Sequence, residues 1–548
     1  MMSDHGVFNL LDSPWVRTRT LAGGVVELST IEVLAQAHEL RGLAGEVATQ
    51  DVAVFRSLEA VLLGVIRPTR PRSVEESLDL WASWWRAGQL PITGISDYLE
   101  RWRDHFFLLH DRMPFLQVAD LHTASGNASG LTKLIADIPD GHQYFTTRAG
   151  REIQSLSFAE AARWLVHCHS FDPAGIKTGA VGDDRVKGGK GYSMGYPAWV
   201  GNLGVIIVEG ANLFETLMLN LPIRIAKRED VPVWERSPLP AGVALDHPSP
   251  LGPADLLTWP SRRVRLIAEG QRIVDVQISN GDRLGPQGQT GNEPMTSWRK
   301  SKAQSKGDNE VYMPVTHSPE RRIWQGLEPL LVSVVGASKR ASVLDWLAEL
   351  RQDGILPSDR VLRLRTIGLE YGTQASSIVG AIDDGLDAHV VALVDPVLVQ
   401  AAVDAASRAS RGVVALVNLS SNLALASGYD PKASPKDNDR RRATVFEFGY
   451  SLLDGPYRDW LGELDDPATA VLRLEAWGEH VRQLLVDAGL TLIAEAGPAA
   501  IVGRDVAQQG TDTTLRIDAG LAEIWFRAAL NKALISQLPP ALPQEATS

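Results

Sequence analysis

Apolar residues fall into helical registers over much of the chain. Between 51 and 66, Val54, Leu58, Val61, Leu62 and Val65 share one face, which predicts an amphipathic helix. A second helix is expected over 73–87, with Trp81, Trp84 and Trp85 serving the core. A third covers 92–109, with Tyr98, Trp102, Phe106 and Phe107, before the Met113-Pro114-Phe115 turn. A fourth, 158–169, runs into a glycine-dense segment. Strands are expected around Pro14-Trp15-Val16 and, after the Gly23-Gly24 turn, over Val25 to Leu28. A hairpin follows over 262–276, turning near Glu269-Gly270. Residues 363–380 read as a strand followed by a tight turn, Tyr371-Gly372-Thr373-Gln374-Ala375. Between these lie 222–260, irregular and proline-rich, and 281–309, polar and basic, which reads as a solvated face or a nucleic-acid-facing loop.

The last third changes character. Helical patterns occupy 396–425, 440–463, 467–489 and 513–536. The third is the cleanest, with Asp466 as cap, Pro467 at the first helical position and a stripe of Leu474, Trp477, Val481, Leu484 and Ala488. The expected fold class is α+β: a large mixed α/β domain over 1–390, a four-helix bundle over 391–538 and a disordered tail over 539–548.

A chain of 548 residues with 44% hydrophobic and 22% charged residues has the composition of a soluble multidomain protein. Neither a signal-peptide pattern nor an apolar run of membrane-spanning length is read, so a cytoplasmic protein is expected. The formal net charge of -12 argues against a protein that coats nucleic acid with its whole surface, and confines any such contact to local basic loops. One cysteine, Cys168, excludes an intramolecular disulfide and a cysteine-rich zinc site; the flanking His167 and His169 lack a matched third ligand and read as structural. No cofactor and no metal are expected.

The segment from Pro173 to Tyr196 carries seven glycines with Lys177, Arg185, Lys187 and Lys190 among them. Glycine lets backbone amides come close to a ligand, and the cations select an anionic one; a flexible linker has the same composition. The spacing fails the phosphate-loop pattern, because Gly189-Lys190 is followed by Gly191. Adjacent carboxylates, Asp183-Asp184 and Asp383-Asp384, offer a metal-dependent nucleic-acid hydrolase as the competing enzymatic reading, against surface charge. HExxH does not occur. Binding is the reading that remains.

Several segments occur in an order that resembles a known family. They are Phe8-Asn9-Leu10-Leu11-Asp12 with Pro14-Trp15, Pro114-Phe115-Leu116-Gln117, the glycine-rich loop, Tyr312-Met313-Pro314 to His317-Ser318-Pro319-Glu320-Arg321, and Thr373-Gln374-Ala375. With the helical last third, the whole is similar to the CasA family, the large subunits of the type I-E CRISPR Cascade surveillance complex. The resemblance implies a non-enzymatic subunit that finds the protospacer-adjacent motif on double-stranded DNA from the minor groove, while guide RNA reads the rest. It implies a glycine loop at Gly175, Ile176, Lys177, Thr178 and Gly179, and a wedge hairpin at Thr373, Gln374 and Ala375. The third element, a lysine, falls near Lys302, with Lys300 and Lys306 close by. It also implies docking near the guide's 5′ end through Tyr144 and Phe145, and a bundle facing the displaced strand, where Arg440, Arg441 and Arg442 would meet phosphates. The implied partners are the other Cascade subunits, crRNA and a helicase-nuclease, with no membrane.

Overall fold

The computed structural model describes residues 8–69, 71–136, 153–192, 195–244, 249–429, 433–507 and 514–535. They form two compact units. The first comprises Met1–Arg321, Pro329–Pro357 and Leu362–Gly385, and the second Arg322–Glu328, Ser358–Val361 and Leu386–Ser548. Among the described residues no helix is long and apolar enough to cross a membrane.

The first unit opens with strands β1 (Val16–Thr20) and β2 (Val25–Leu28), helix α1 (Thr30–Ala35) and strand β3 (Leu40–Leu43), in sheet order β2-β1-β3. Ser29 and Glu32 cap α1 reciprocally, which satisfies two amides that the first turn leaves unpaired. Helices α2 (Ala48–Ile66), α3 (Val74–Ala87) and α4 (Ile92–Arg101) follow. The third expected helix stops early, at Arg101. Asn9 donates from its side chain to the Arg103 carbonyl at 3.1 Å, and the Leu10 amide to that of Phe106 at 2.9 Å. The N-terminal segment thus takes the carbonyls that a continued helix would have used, and the chain turns through a short 3-10 stretch instead.

Helix α5 (Phe158–Phe171) is buried over almost its whole length. His167 and His169 therefore both lie on a buried helix. Thr49 meets His167 at 3.0 Å, and His169 bonds the Leu116 carbonyl at 2.8 Å through Nε2. Burial pushes both imidazoles down to about 4, which keeps them neutral. Among the described residues no cluster of three or more metal-ligating side chains forms.

Strand β4 (Val205–Glu209), helices α6 (Leu213–Leu219) and α7 (Pro253–Leu257), and the hairpin of β5 (Arg262–Glu269) and β6 (Arg272–Asn280) come next. The basic segment that follows is less solvated than its composition implies. Glu293, Met295, Thr296, Ser297 and Trp298 are buried, and strand β7 (Trp298–Lys300) pairs with β8 (Tyr312–Pro314) and β9 (Ser338–Lys339). Glu293 accepts two bonds from Arg56 on α2, at 2.9 and 2.8 Å, with both side chains fully buried. After helices α8 (Leu327–Leu331) and α9 (Ser342–Gln352), the long strands β10 (Val361–Tyr371) and β11 (Ile378–His389) extend the sheet in the order β11-β10-β4.

The second unit is helical. After α10 (Val390–Val394), the long α11 (Pro396–Ala426) packs on α12 (Pro435–Gly462) and α13 (Ala470–Glu495). Following α14 (Gly497–Val502) and the hairpin of β12 (Arg504–Ala507) and β13 (Thr514–Ile517), α15 (Ala519–Leu534) packs on α11 and α13 and completes a helical bundle. Asp466 caps the turn before α13 as expected. The buried stripe of α13 is Leu474, Trp477, Val481, Leu485 and Ala488; Leu485, not Leu484, faces inward. The fold class is α+β.

Candidate nucleic-acid interface

The glycine-rich segment starts where α5 ends, and each of its first residues is tied to another element. The Phe171 carbonyl accepts from the Tyr371 hydroxyl at 2.6 Å. Those of Asp172 and Pro173 accept from the Arg262 guanidinium at 2.8 and 2.9 Å. The Ala174 amide donates to the Ala375 carbonyl at 2.7 Å. Hence the loop and the β10–β11 turn, read separately from the sequence, meet through a direct backbone bond.

Past Ala174 the chain is exposed: Ile176 is 68% accessible and Thr178 lies at the surface. Among the described residues, none accepts a hydrogen bond from the amides of Gly175, Ile176, Lys177 or Thr178. Four consecutive donors are thus unclaimed among the described residues, and Gly175 to Thr178 line a cavity of about 320 Å³ together with Ser376, Ser377 and Ile378. The carbonyls of Lys177 and Thr178 are already used, by Gly191 at 2.9 Å and the Ser279 hydroxyl at 2.8 Å. The carbonyls of Gly175 and Ile176 have no donor among the described residues, so the segment offers acceptors beside its donors.

Two members of the predicted loop have internal duties. Lys177 reaches both oxygens of Asp172, at 2.9 and 2.7 Å, so its ammonium is turned into the protein. Burial alone would raise the Asp172 carboxyl; Lys177 and Arg262 beside it hold it below the usual carboxylate range. Gly179 is buried, and a Cβ there would lie 2.5 Å from Val186 Cγ1. Its missing side chain makes room for Val186 and not for a ligand.

The turn itself is strained. Gln374 and Ala375 have φ of +56° and +52°, a left-handed conformation that costs non-glycine residues about 1–2 kcal/mol each. Bonds from Ala375 to the Gly372 carbonyl and from Gly372 to that of Ser377, both 2.9 Å, hold it. Gln374 is exposed at the tip, and its amide has no partner among the described residues. Lys302 and Lys306 are exposed on the loop joining β7 and β8. Lys300 is bonded to Glu310 at 2.7 Å.

One member of the acidic pair beside the loop is already engaged. Asp183 is buried and bonded through both oxygens to Arg185, at 2.8 and 2.9 Å. Burial works to raise it, but the Arg185 bonds and charge hold it below the usual range. Arg185 also donates to the carbonyls of Gly281 and Asn280. It is a strut that ties the glycine-rich segment to the end of β6. Asp383 is likewise bonded through both oxygens to Arg365.

The model of the family described as CRISPR-associated protein Cse1 matches residues 9–488. The chain belongs to the Cse1 family. A curated relative, CRISPR-associated protein CasA/Cse1 of Thermus thermophilus, is 33% identical over 371 residues, 66% of this chain and 67% of its own. Cse1 of Thermobifida fusca is 40% identical, with a TM-score of 0.85 over 96% of this chain and 98% of the other. Cse1 of Acidimicrobium ferrooxidans is 28% identical, with a TM-score of 0.82 over 97% and 99%. A chain of a CRISPR RNA-guided surveillance complex, 19% identical with a TM-score of 0.62 over 88% and 99%, shares the fold. The CasA resemblance read from the sequence is the same family under its other name.

Of the remaining residues implied by the Cse1 resemblance, Tyr144 and Phe145 lie outside the described residues. Arg440, Arg441 and Arg442 stand on the first turns of α12. Arg440 is exposed, with Asp437 at 3.7 Å; Arg441 lies over the Tyr429 ring at 4.7 Å; Arg442 donates to Ser421 at 3.1 Å. Local pattern did not mark the part played by Arg262 and Tyr371, and marked that of Asp172 only faintly. Their partners lie on other elements, and only the cationic Lys177 five residues from Asp172 offered a signal.

Proposed function

We propose that this Cse1-family chain is the non-catalytic DNA-recognition subunit of a type I-E Cascade, assembled with the other Cascade subunits and crRNA in the cytoplasm. It reads the protospacer-adjacent motif from the minor groove, opens the duplex to start the R-loop, and helps recruit the helicase-nuclease. One observation carries the reading: among the described residues, four amide donors in a row have no acceptor, and the residue before them is hydrogen-bonded to a strained turn whose tip glutamine has no partner. The minor groove presents acceptors, adenine N3 and thymine O2, at every A·T pair, so a backbone of donors fits it without demanding one base sequence. Lys302 supplies the cation of this reading, with Lys306 the alternative, since Lys300 is held by Glu310. Gln374, exposed and carrying both a donor and an acceptor, can replace the hydrogen bonds of the first base pair that it separates. The kinship to Cse1 proteins and the shared fold with a chain of an RNA-guided surveillance complex support membership of such an assembly.

The test uses the assembled complex and a motif-bearing duplex carrying 2-aminopurine at the first base pair beside the motif. Gln374→Ala is expected to retain initial binding and to lose most of the fluorescence rise that reports opening. A rise equal to that of the parent complex would remove the wedge from the reading, and equal binding of duplexes with and without the motif would remove the reading itself.

A further inference from the structure

Resting on the minor-groove reading, we propose that Asp172 is a positioning residue that locks the donor loop and the strand-opening turn into one body, and that Lys177 is the latch on it instead of a phosphate contact. Asp172 sits where three segments converge. Its carboxylate, 5% exposed, accepts Lys177 from the loop and the guanidinium of Arg262 from β5. Its carbonyl accepts the Ala198 amide at 2.8 Å and a second arm of Arg262. Arg262 is wholly buried and also holds the Pro173 carbonyl. The path from α5 to Ala174 is therefore rigid, and Ala174 is the residue that bonds the turn at Ala375.

The latch follows from where the charge goes. A lysine that serves a phosphate must keep its ammonium available, because it releases a condensed counterion from the DNA by neutralising that phosphate. Lys177 spends its charge on Asp172 inside the protein, with its side chain only 15% exposed. In doing so it ties the loop back to the end of α5 and fixes the place of the neighbouring amides relative to Gln374. Recognition of the groove and insertion of the wedge then happen together, because one cannot move without the other.

The experiment has an arm that needs no DNA. In the free chain, Lys177→Met is expected to raise hydrogen exchange at the Ala174 and Ala375 amides together, by roughly tenfold, the scale of one charge-assisted bond. Unchanged exchange at both overturns the latch, whatever the protein binds. In the assembled complex, the same variant should weaken opening of the motif-bearing duplex while the slope of log affinity against log salt stays as in the parent. A slope lower by about 0.9 would make Lys177 a phosphate contact and overturn the proposal. Asp172→Asn with Lys177→Met should be no worse than the weaker of the two single variants, whereas additive losses would mean that the two act apart. Lys177→Arg should restore both readouts. If wild-type complex fails to prefer the motif while the exchange result holds, the minor-groove reading falls and the mechanical coupling stands.

Discussion

Gly179 offers a clean way to separate a glycine required by the protein from one required by its ligand. A Cβ at this position would stand 2.5 and 2.8 Å from the two methyls of Val186 and 3.2 Å from the Gly189 carbonyl, which already accepts the Gly179 amide at 2.9 Å. Its backbone is not in the left-handed region, so the substitution Gly179→Ala adds crowding and no φ strain. Overpacking of this kind costs about 1–3 kcal/mol, which the loop can relieve only by shifting. Expressed as affinity, that is roughly 5- to 150-fold weaker binding of a motif-bearing duplex by the assembled complex, measured by fluorescence anisotropy. Val186→Ala removes the two methyls that the new Cβ would strike. The double variant is expected to bind within about twofold of the parent, since the collision is gone. Persistent loss in the double variant would refute the reasoning and mean that DNA approaches at Gly179 itself. Gly175→Ala is the companion: its Cβ would meet only the Ser376 carbonyl, at an ordinary 3.6 Å, so a loss there reports on the ligand.

Three further outcomes are expected. Arg56→Met should lower stability by about 3–5 kcal/mol in thermal or urea unfolding, because it leaves the buried Glu293 carboxylate without its guanidinium; Arg56→Met with Glu293→Leu should recover much of that. Stability should fall below about pH 6.5, since burial depresses His167 and His169 to about 4 and the unfolded chain takes up protons that the folded one refuses. Asp51 and Asp230, raised to about 6 by burial, act in the opposite sense below that pH, so the decisive comparison is a smaller loss between pH 7 and 5 in His169→Gln than in the parent. Replacing Arg440, Arg441 and Arg442 with alanine should flatten the salt dependence of target binding by the complex, by up to about 0.7 per single-strand phosphate lost; an unaltered slope would remove them from the displaced-strand path.

Local periodicity carried a large part of the fold. The registers around Val54, Trp81 and Trp477, the cap at Asp466 and the hairpin turning at Gly270 are all decided by residues within a turn or two of each other. What local pattern could not carry is pairing at a distance. Glu293 looked solvated because its neighbours are polar, yet its partner Arg56 lies 237 residues away. The helix expected to reach residue 109 stopped at Arg101 because Asn9 and Leu10 claimed its carbonyls. At the interface, the sequence marked the glycine loop and the Gln374 turn as separate features, and the Ala174–Ala375 bond between them had no local trace. Composition also assigned Lys177 and Arg185 to a ligand, when each is within five residues of the carboxylate that holds it. Cations in a glycine-rich loop are better weighed against their nearest acids first.

The bond between Ala174 and Ala375 also sets a rule for re-engineering motif preference. Exchanging residues 175–178 alone for those of another family member would seat a new reading surface on an old mount, with the glutamine tip left at the previous height. Because the Phe171 carbonyl is held by Tyr371 and those of Asp172 and Pro173 by Arg262, the smallest transferable module is 171–179 together with 371–377 and Arg262. Chimeras cut inside that module should misalign, whereas chimeras that carry it whole should inherit reading and opening as a pair.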